Sequence, residues 1–432
     1  MDMRVMPSEI GGSIEAVASK SEAHRLLICS AFADAPTKIS CNTSSQDIDA
    51  TVDCLRALGA QVTRTPEGFE VAPAGDPTPG ALLDCGESGS TERFLLPIAC
   101  VLGRGAALTG RGRLAARPLS PLYEELEAHG AELSPQGAFP LEVSGKAAGG
   151  RYTIAGNVSS QFISGLLMAA PLAGEAVEVF VTAPVESLPY IDITCAAMAE
   201  FGVEVARRKH EEAAEGGTVS GLLFSVARGA RYHTPGKVRV GGDWSNAAFW
   251  LAAGALNPAG IEVKGLDLRS HQGDRAILGA LALLGARVER GEDSVCVSPD
   301  VLRGCRLDVH SCPDLVPPLA AVAALAQGTT AIVGAGRLRI KESDRLQTVS
   351  DAVNALGGRV TQTDDGLRIE GVGSLAGGTV DAANDHRIAM MSAVLASTAT
   401  GPTTIRGAQC VAKSYPAFFE DLSSLGGTCK EA

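Results

Sequence analysis

Apolar residues recur at every third or fourth position in several stretches that all end alike. "DIDATVDCLRAL" (47–58) and "YIDITCAAMAEF" (190–201) carry the stripe of an amphipathic helix, and each runs into a glycine followed by a short alternating apolar segment. A 3.6-residue period predicts a helix and a two-residue period a strand. Glycine between them suits the left-handed residue that ends a helix. The same junction appears six times: "ALGAQVTR", "AHGAELSP", "EFGVEVAR", "LLGARVER", "ALGGRVTQ" and "SLGGTCKE". Their first glycines, Gly59, Gly130, Gly202, Gly285, Gly357 and Gly426, lie 71, 72, 83, 72 and 69 residues apart. A period held that closely over six copies identifies a repeated structural unit.

Further Val/Ile/Leu runs and a second helical segment separate the junctions, so each unit predicts two helices among about four strands. The long third interval holds "RKHEEAAEGG" and "RYHTPGK", polar and rich in turn formers. It suits an insertion plus a crossing between domains. Three units then fall on either side of about residue 235. The expected architecture is α/β, with two pseudo-symmetric domains and a cleft between them.

A chain of 432 residues exceeds one ordinary core, which agrees with about two or three domains. Hydrophobic residues make up 45% but aromatics only 4%, so the cores must be built from Ala, Val, Leu and Ile. "GLLMAAPLAG" and "LVPPLAAVAALA" are too short or too proline-broken to span a bilayer, and no secretory signal opens the chain. The expectation is a soluble, cytoplasmic protein. Eleven scattered cysteines show no metal or redox spacing, and Cys29, Cys54, Cys100 and Cys195 sit among apolar neighbours as expected buried thiols. A net charge of -12 disfavours nucleic acid and anionic membranes as partners. A small anionic ligand remains compatible with it.

Polar, basic clusters precede several apolar helical segments. "ASKSEAHRLLI" brings Lys20, Ser21 and Arg25 to a helix start, where Ser21 can cap and the free amides can bind an anion. "DCGESGSTERFLLP" is glycine-rich, with Glu87 unexpected in an anion cradle and Arg93 placed to neutralise it; "RGRLAARPLSPL" adds Arg111, Arg113 and Arg117, with Pro118 at an expected helix start. "NVSSQFISGLL" offers Ser159, Ser160 and Gln161 as hydrogen-bonding groups. "SCPDLVPPLAAVAAL" isolates Asp314 among apolar residues, which fits a general base and a helix cap equally well. "IKESDRLQ" (340–347) alternates charge, the signature of a solvated helix face or of a site. "AANDHRIAMM" and "CVAKSYPAFFEDL" add Asp385, His386, Arg387 and Lys413. No cluster has metal-ligand spacing, so no metal is expected. Helix N-termini gathered around one cleft would attract anions strongly.

In this order the motifs "SKSEAHR", "ARPL", "SSQF", "LPYIDIT", "PDLVPPLA", "IKESDRL", "NDHRIAM" and "KSYPAFF" span almost the whole chain. The sequence resembles the 5-enolpyruvylshikimate-3-phosphate synthase family of enolpyruvyl transferases. The resemblance implies two domains, each of three βαβαββ units in an inside-out α/β barrel, with the active site in the interdomain cleft. It places residues 20–234 in one domain and residues 1–19 and 235–432 in the other. It implies transfer of the enolpyruvyl group of phosphoenolpyruvate to the 5-hydroxyl of shikimate 3-phosphate, with no cofactor and no macromolecular partner, by a cytoplasmic monomer.

By the same resemblance Lys20, Ser21, Arg25, Ser159, Ser160, Gln161 and Ser187 would hold shikimate 3-phosphate, with Tyr190 nearby. Lys20, Gly89, Arg117, Gln161, Arg345, Arg387 and Lys413 would meet phosphoenolpyruvate. Asp314 and Lys341 would contact the reacting hydroxyl, and Glu342 or Lys20 would protonate the methylene carbon.

Some positions depart from the family pattern. Glu87 and Ser90 replace the usual Asn and Thr of the glycine-rich loop, and Arg337 stands where some relatives carry Asn. "GGDWSNAAF" matches a family helix start with an architectural role. The sister transferase that acts on UDP-N-acetylglucosamine typically reads Lys-Asn at Lys20-Ser21 and carries a cysteine in the region of "RGRLAARP"; this chain has no cysteine between Cys100 and Cys195. An RNA 3′-phosphate cyclase-like protein or a non-catalytic repeat scaffold would share the repeats. Net acidity speaks against the first and the polar clusters at helix starts against the second.

Overall fold

Parallel strands need a crossover, and in four of the sheets that crossover is a helix. In the computed structural model, which describes residues 1–214 and 217–432, every repeat builds one four-stranded sheet on the same plan. In the third repeat Gly150–Ala155 and Val177–Thr182 run parallel, with Tyr152 opposite Val179, and the helix Ser160–Ala169 joins them. The helix Leu188–Glu200 then leads to the edge strand Ala206–Ala214, and Gly217–Val226 inserts antiparallel between that edge and Val177–Thr182. The expected insertion falls on two long antiparallel strands, and residues 215–216 lie outside the described residues.

All six junction glycines close a helix with positive φ, from 77° at Gly202 to 106° at Gly59. A side chain is unfavourable there, which is the physical basis of the periodic signal.

Residues Lys20–Val240 form one compact unit with three of the sheets, and Met1–Ser19 with Gly241–Ala432 form the other. In the first unit Lys237–Arg239 pairs parallel with Thr37–Ser40, with Val238 opposite Ile39. The chain therefore leaves this unit after Val240, six residues beyond the boundary expected at residue 234. In the second unit Met3–Met6 is an inner strand, antiparallel to both Thr403–Arg406 and Thr428–Glu431, while Gly12–Glu15 forms the edge beside Ile261–Lys264.

Three helices in each unit are buried along nearly their whole length: Lys20–Ala31, Gly89–Leu102 and Ser160–Ala169 in one, Trp244–Leu256, Val316–Leu325 and His386–Thr398 in the other. Helices apolar on all sides belong at a core's centre. The amphipathic helices, such as Gln46–Ala57 and Arg345–Ala355, bury one face against neighbouring strands and expose the other. Cys29, Cys54 and Cys100 are buried as expected, whereas Cys195, on an amphipathic helix, is half-buried. No helix among the described residues is long and apolar enough to cross a membrane.

Candidate active site

In the second unit the "IKESDRLQ" stretch is a helix start. A short 3-10 turn, Gly336–Ile340, precedes it, and Asp344 caps the helix Arg345–Ala355 by accepting from the Gln347 amide at 3.2 Å. Arg345 is 1% exposed, which rules out the solvated face. Its guanidinium donates to three carboxylates: Nη1 to Asp314 Oδ1 at 2.8 Å, Nη2 to Glu342 Oε2 at 2.7 Å and Nε to Asp385 Oδ2 at 2.7 Å. Asp385 also caps the helix His386–Thr398, accepting from the Arg387 amide at 3.0 Å, and accepts from Ser343 Oγ at 2.9 Å.

Asp314 does not cap; the helix Val316–Leu325 has no side-chain cap bond. Instead its carboxylate meets three cations, Arg345, Arg387 Nη2 at 3.3 Å and Lys341 Nζ at 3.7 Å. Burial pushes the Asp314 carboxyl up, but Arg387, Lys341 and Arg345 together hold it well below the usual range. Burial lowers the Lys341 ammonium, and Asp314 and Glu342 only partly offset this. Arg345 is raised, because Asp385, Glu342 and Asp314 outweigh its burial. Lys413 is buried and donates to the Asn384 carbonyl at 2.7 Å, where Ala383 and Asn384 take positive φ just ahead of Asp385.

A further buried carboxyl, Asp274, accepts from Ser245 Oγ. Burial and then the Asp314 charge push it up to about 6. Asp243 caps the helix Trp244–Leu256, the architectural role expected of "GGDWSNAAF".

In the first unit Lys20 and Ser21 are the first residues of the helix Lys20–Ala31, so Ser21 lies inside the first turn rather than at the cap. Lys20 Nζ meets Asp47 Oδ2 at 2.7 Å. Arg25 is 2% exposed and is held by uncharged acceptors: Nε donates to Thr194 Oγ1 at 2.6 Å, Nη1 to the Ser21 carbonyl at 2.6 Å, and Nη2 to the Tyr190 carbonyl at 3.0 Å and Ser164 Oγ at 3.2 Å. It lies 4.7 Å from the centre of the Phe94 ring. Burial pulls its pKa down to about 10, so it stays cationic beneath Ser21 and Tyr190.

Gly89 opens the helix Gly89–Leu102, capped by Ser88, and packs on Arg117; a Cβ at Gly89 would fall 2.5 Å from Arg117 Nη1. Gln161 is clamped from both ends, Oε1 accepting from Arg93 Nη1 at 2.9 Å and Nε2 donating to Ser90 Oγ at 2.9 Å. This clamp depends on two helices touching at Gly165, where a Cβ would lie 2.3 Å from the Arg93 carbonyl oxygen. Ser159 caps the helix Ser160–Ala169, Ser160 is buried, and Ser187 takes φ 51° just before Leu188–Glu200. A buried chain of hydrogen bonds, His24 to Thr51, Thr51 to Thr91 and Thr91 to Ser88, joins the Lys20 helix to the glycine-rich loop.

Each unit thus gathers its share of the expected residues. Two further expectations change. Arg93 holds Gln161, and the Glu87 carboxyl lies instead against Gly112 of the arginine-rich loop. The helix after Pro118 starts only at Leu122. Sequence reasoning missed Asp47 as the partner of Lys20, Ser90 as a partner of Gln161, Asp385 as the anchor of Arg345, and Asp274. Of these only Asp385 carried a local signal, as a cap before an apolar run.

The sequence model of EPSP synthase (3-phosphoshikimate 1-carboxyvinyltransferase) matches residues 5–422. The chain belongs to the EPSP synthase family. It is 38% identical over 431 residues to the 3-phosphoshikimate 1-carboxyvinyltransferase of Clostridium kluyveri, covering 99% of this chain and 98% of that one. Among solved structures, EPSP synthase from Acinetobacter baumannii is similar with a TM-score of 0.78, 26% identity and all of both chains covered. An enolpyruvyl transferase from Streptomyces tendae, NikO, shares the fold with a TM-score of 0.73 at 20% identity, over 100% of this chain and 98% of that one. At that identity the likeness concerns the fold alone, so the acceptor must be argued from the residues.

Proposed function

We propose that the two polar clusters act on one pair of substrates, phosphoenolpyruvate and shikimate 3-phosphate, as the family membership supports. The chain is a carboxyvinyl transferase of the shikimate pathway: the 5-hydroxyl oxygen of shikimate 3-phosphate adds to the central carbon of phosphoenolpyruvate, and phosphate is then eliminated. Lys20, Ser21, Ser159, Ser160, Gln161 and Ser187 hold shikimate 3-phosphate. Arg25 acts from beneath, fixing the Ser21 and Tyr190 carbonyls and supplying positive potential. Lys20, Gly89, Arg117, Gln161, Arg345, Arg387 and Lys413 receive phosphoenolpyruvate. Both substrates are phosphorylated and membrane-impermeant, which favours action in the cytoplasm, by a monomer.

The observation that carries the mechanism is Asp314 under three cations. So placed, it is a poor base. When Arg345 and Arg387 turn to the anionic groups of phosphoenolpyruvate, Asp314 loses two of the charges that depress it and gains basicity. It then takes the proton of the attacking hydroxyl, with Lys341 beside the developing oxyanion. Glu342, released from Arg345 in the same event, or Lys20 delivers a proton to the methylene carbon. A methyl proton and phosphate then leave. The remaining cations stabilise the charge that develops at the central carbon and its substituents.

Asp314→Asn keeps the shape and removes the base, and is expected to lower kcat by roughly a hundred- to ten-thousandfold while leaving the KM of both substrates within a fewfold. Steady-state phosphate release measures this. A variant with near-native kcat would contradict the assignment of Asp314.

A further inference from the structure

No step of the proposed mechanism uses Glu92. It lies in the first turn of the helix Gly89–Leu102, 1% exposed, and its Oε2 has no hydrogen-bond partner. Arg117 Nε is likewise buried without a partner. The groups acting on this carboxyl are Arg93, its neighbour on the helix, and Arg117, from the loop packed on Gly89. Cys85 and Cys54 are buried thiols nearby, and the hydrogen bond with Cys54 together with burial pushes the Cys85 thiol well up. Of the packed helices, Ser160–Ala169 brings only uncharged residues, whereas Gln46–Ala57 brings Asp47, which is paired with Lys20 and whose carbonyl accepts from Thr91 Oγ1. Burial pushes Glu92 up to about 7, against the pull of Arg93 and Arg117.

We propose that Glu92 is a positioning residue that sets the positive charge Arg117 and Arg93 present to the anionic cosubstrate, so that the cosubstrate binds the Glu92-protonated form and binding takes up a proton. The inference rests on the proposed site, in which Arg117 and the Arg93-held Gln161 meet phosphoenolpyruvate. Ionised, Glu92 neutralises one unit of charge in a desolvated setting and competes with the incoming anion. Protonated, it leaves both guanidinium charges to the ligand. By linkage, an anion arriving beside Glu92 must raise that carboxyl's affinity for its proton by the factor in which protonation raises anion affinity.

The test compares the pH profiles of KM for phosphoenolpyruvate in the native enzyme, Glu92→Gln and Glu92→Asp, from about pH 6 to about pH 9 at saturating shikimate 3-phosphate. Ionisation of the cosubstrate is common to all three. The native KM is expected to rise over that range by roughly three- to tenfold more than that of Glu92→Gln, with kcat moving much less, and Glu92→Asp to keep a rise. Parallel profiles for native and Glu92→Gln would overturn the proposal and leave the proposed function intact. No turnover by the native enzyme would overturn the proposed function instead. The carboxyl is then followed directly in the native protein by its infrared C=O stretch, with Glu92→Gln as the blank. A protonated band that fades through neutral pH and returns when phosphoenolpyruvate is added supports the inference; a band indifferent to phosphoenolpyruvate refutes it.

Discussion

Glu92 and Asp314 are both buried carboxyls, yet their surroundings drive them in opposite directions. Asp314 has three cations in contact and is lowered; Glu92 has no hydrogen bond at Oε2 and is raised from 4.5 to about 7. A carboxyl raised in the folded state contributes stability that is fully present below its unfolded value and is lost as pH rises through the folded value. For Glu92 that window runs from about 4.5 to about 7. Glu92→Gln should therefore gain on the native protein as pH rises through this window, by on the order of 3 kcal/mol. Urea unfolding of both proteins at about pH 5 and about pH 8 measures the difference. Equal differences at the two values would show that Glu92 does not titrate there. The sequence offered no hint of either state. The charge run at 340–347 was legible as a cluster, but its meaning depends on Asp314 and Asp385, 31 and 40 residues from Arg345, and local pattern does not report such distances.

At the scale of elements the junction glycines were legible because a helix end is a local event with one sterically preferred residue. They are not equivalent. At Gly285, φ is +101° and an added Cβ would lie 2.3 Å from the Val301 carbonyl oxygen; at Gly59, φ is +106° and the nearest atom is the Thr78 hydroxyl oxygen at 3.3 Å. Both alanine variants carry backbone strain of about 1–2 kcal/mol, and only Gly285→Ala must also displace backbone. Thermal unfolding should rank Gly285→Ala clearly below Gly59→Ala; the reverse order would contradict this reading of the repeat. The clamp on Gln161 was not legible, since it depends on close helix contact at Gly165, and a lone glycine inside an apolar helix carries no such message.

For the whole molecule, the repeat count and the α/β class followed from periodicity, whereas the exchange of strands at the chain crossings did not. Met3–Met6 reaches the far end of the chain, with Met3 opposite Glu431, and Lys237–Arg239 turns back to Thr37–Ser40. Pairings of such sequence separation leave no local trace. They make the first residues structural: removing residues 1–19 strips an inner strand from one sheet and an edge strand from another. Such a truncation should abolish cooperative unfolding of the second unit and leave that of Lys20–Val240, which calorimetry distinguishes. Whether the chain acts on phosphoenolpyruvate and shikimate 3-phosphate is read from phosphate release by purified protein given phosphoenolpyruvate with shikimate 3-phosphate, or with UDP-N-acetylglucosamine, beside a Lys20→Met control. Of the two acceptors only shikimate 3-phosphate is expected to give release, and the control to lose it. Release with UDP-N-acetylglucosamine, or with neither acceptor, would contradict this.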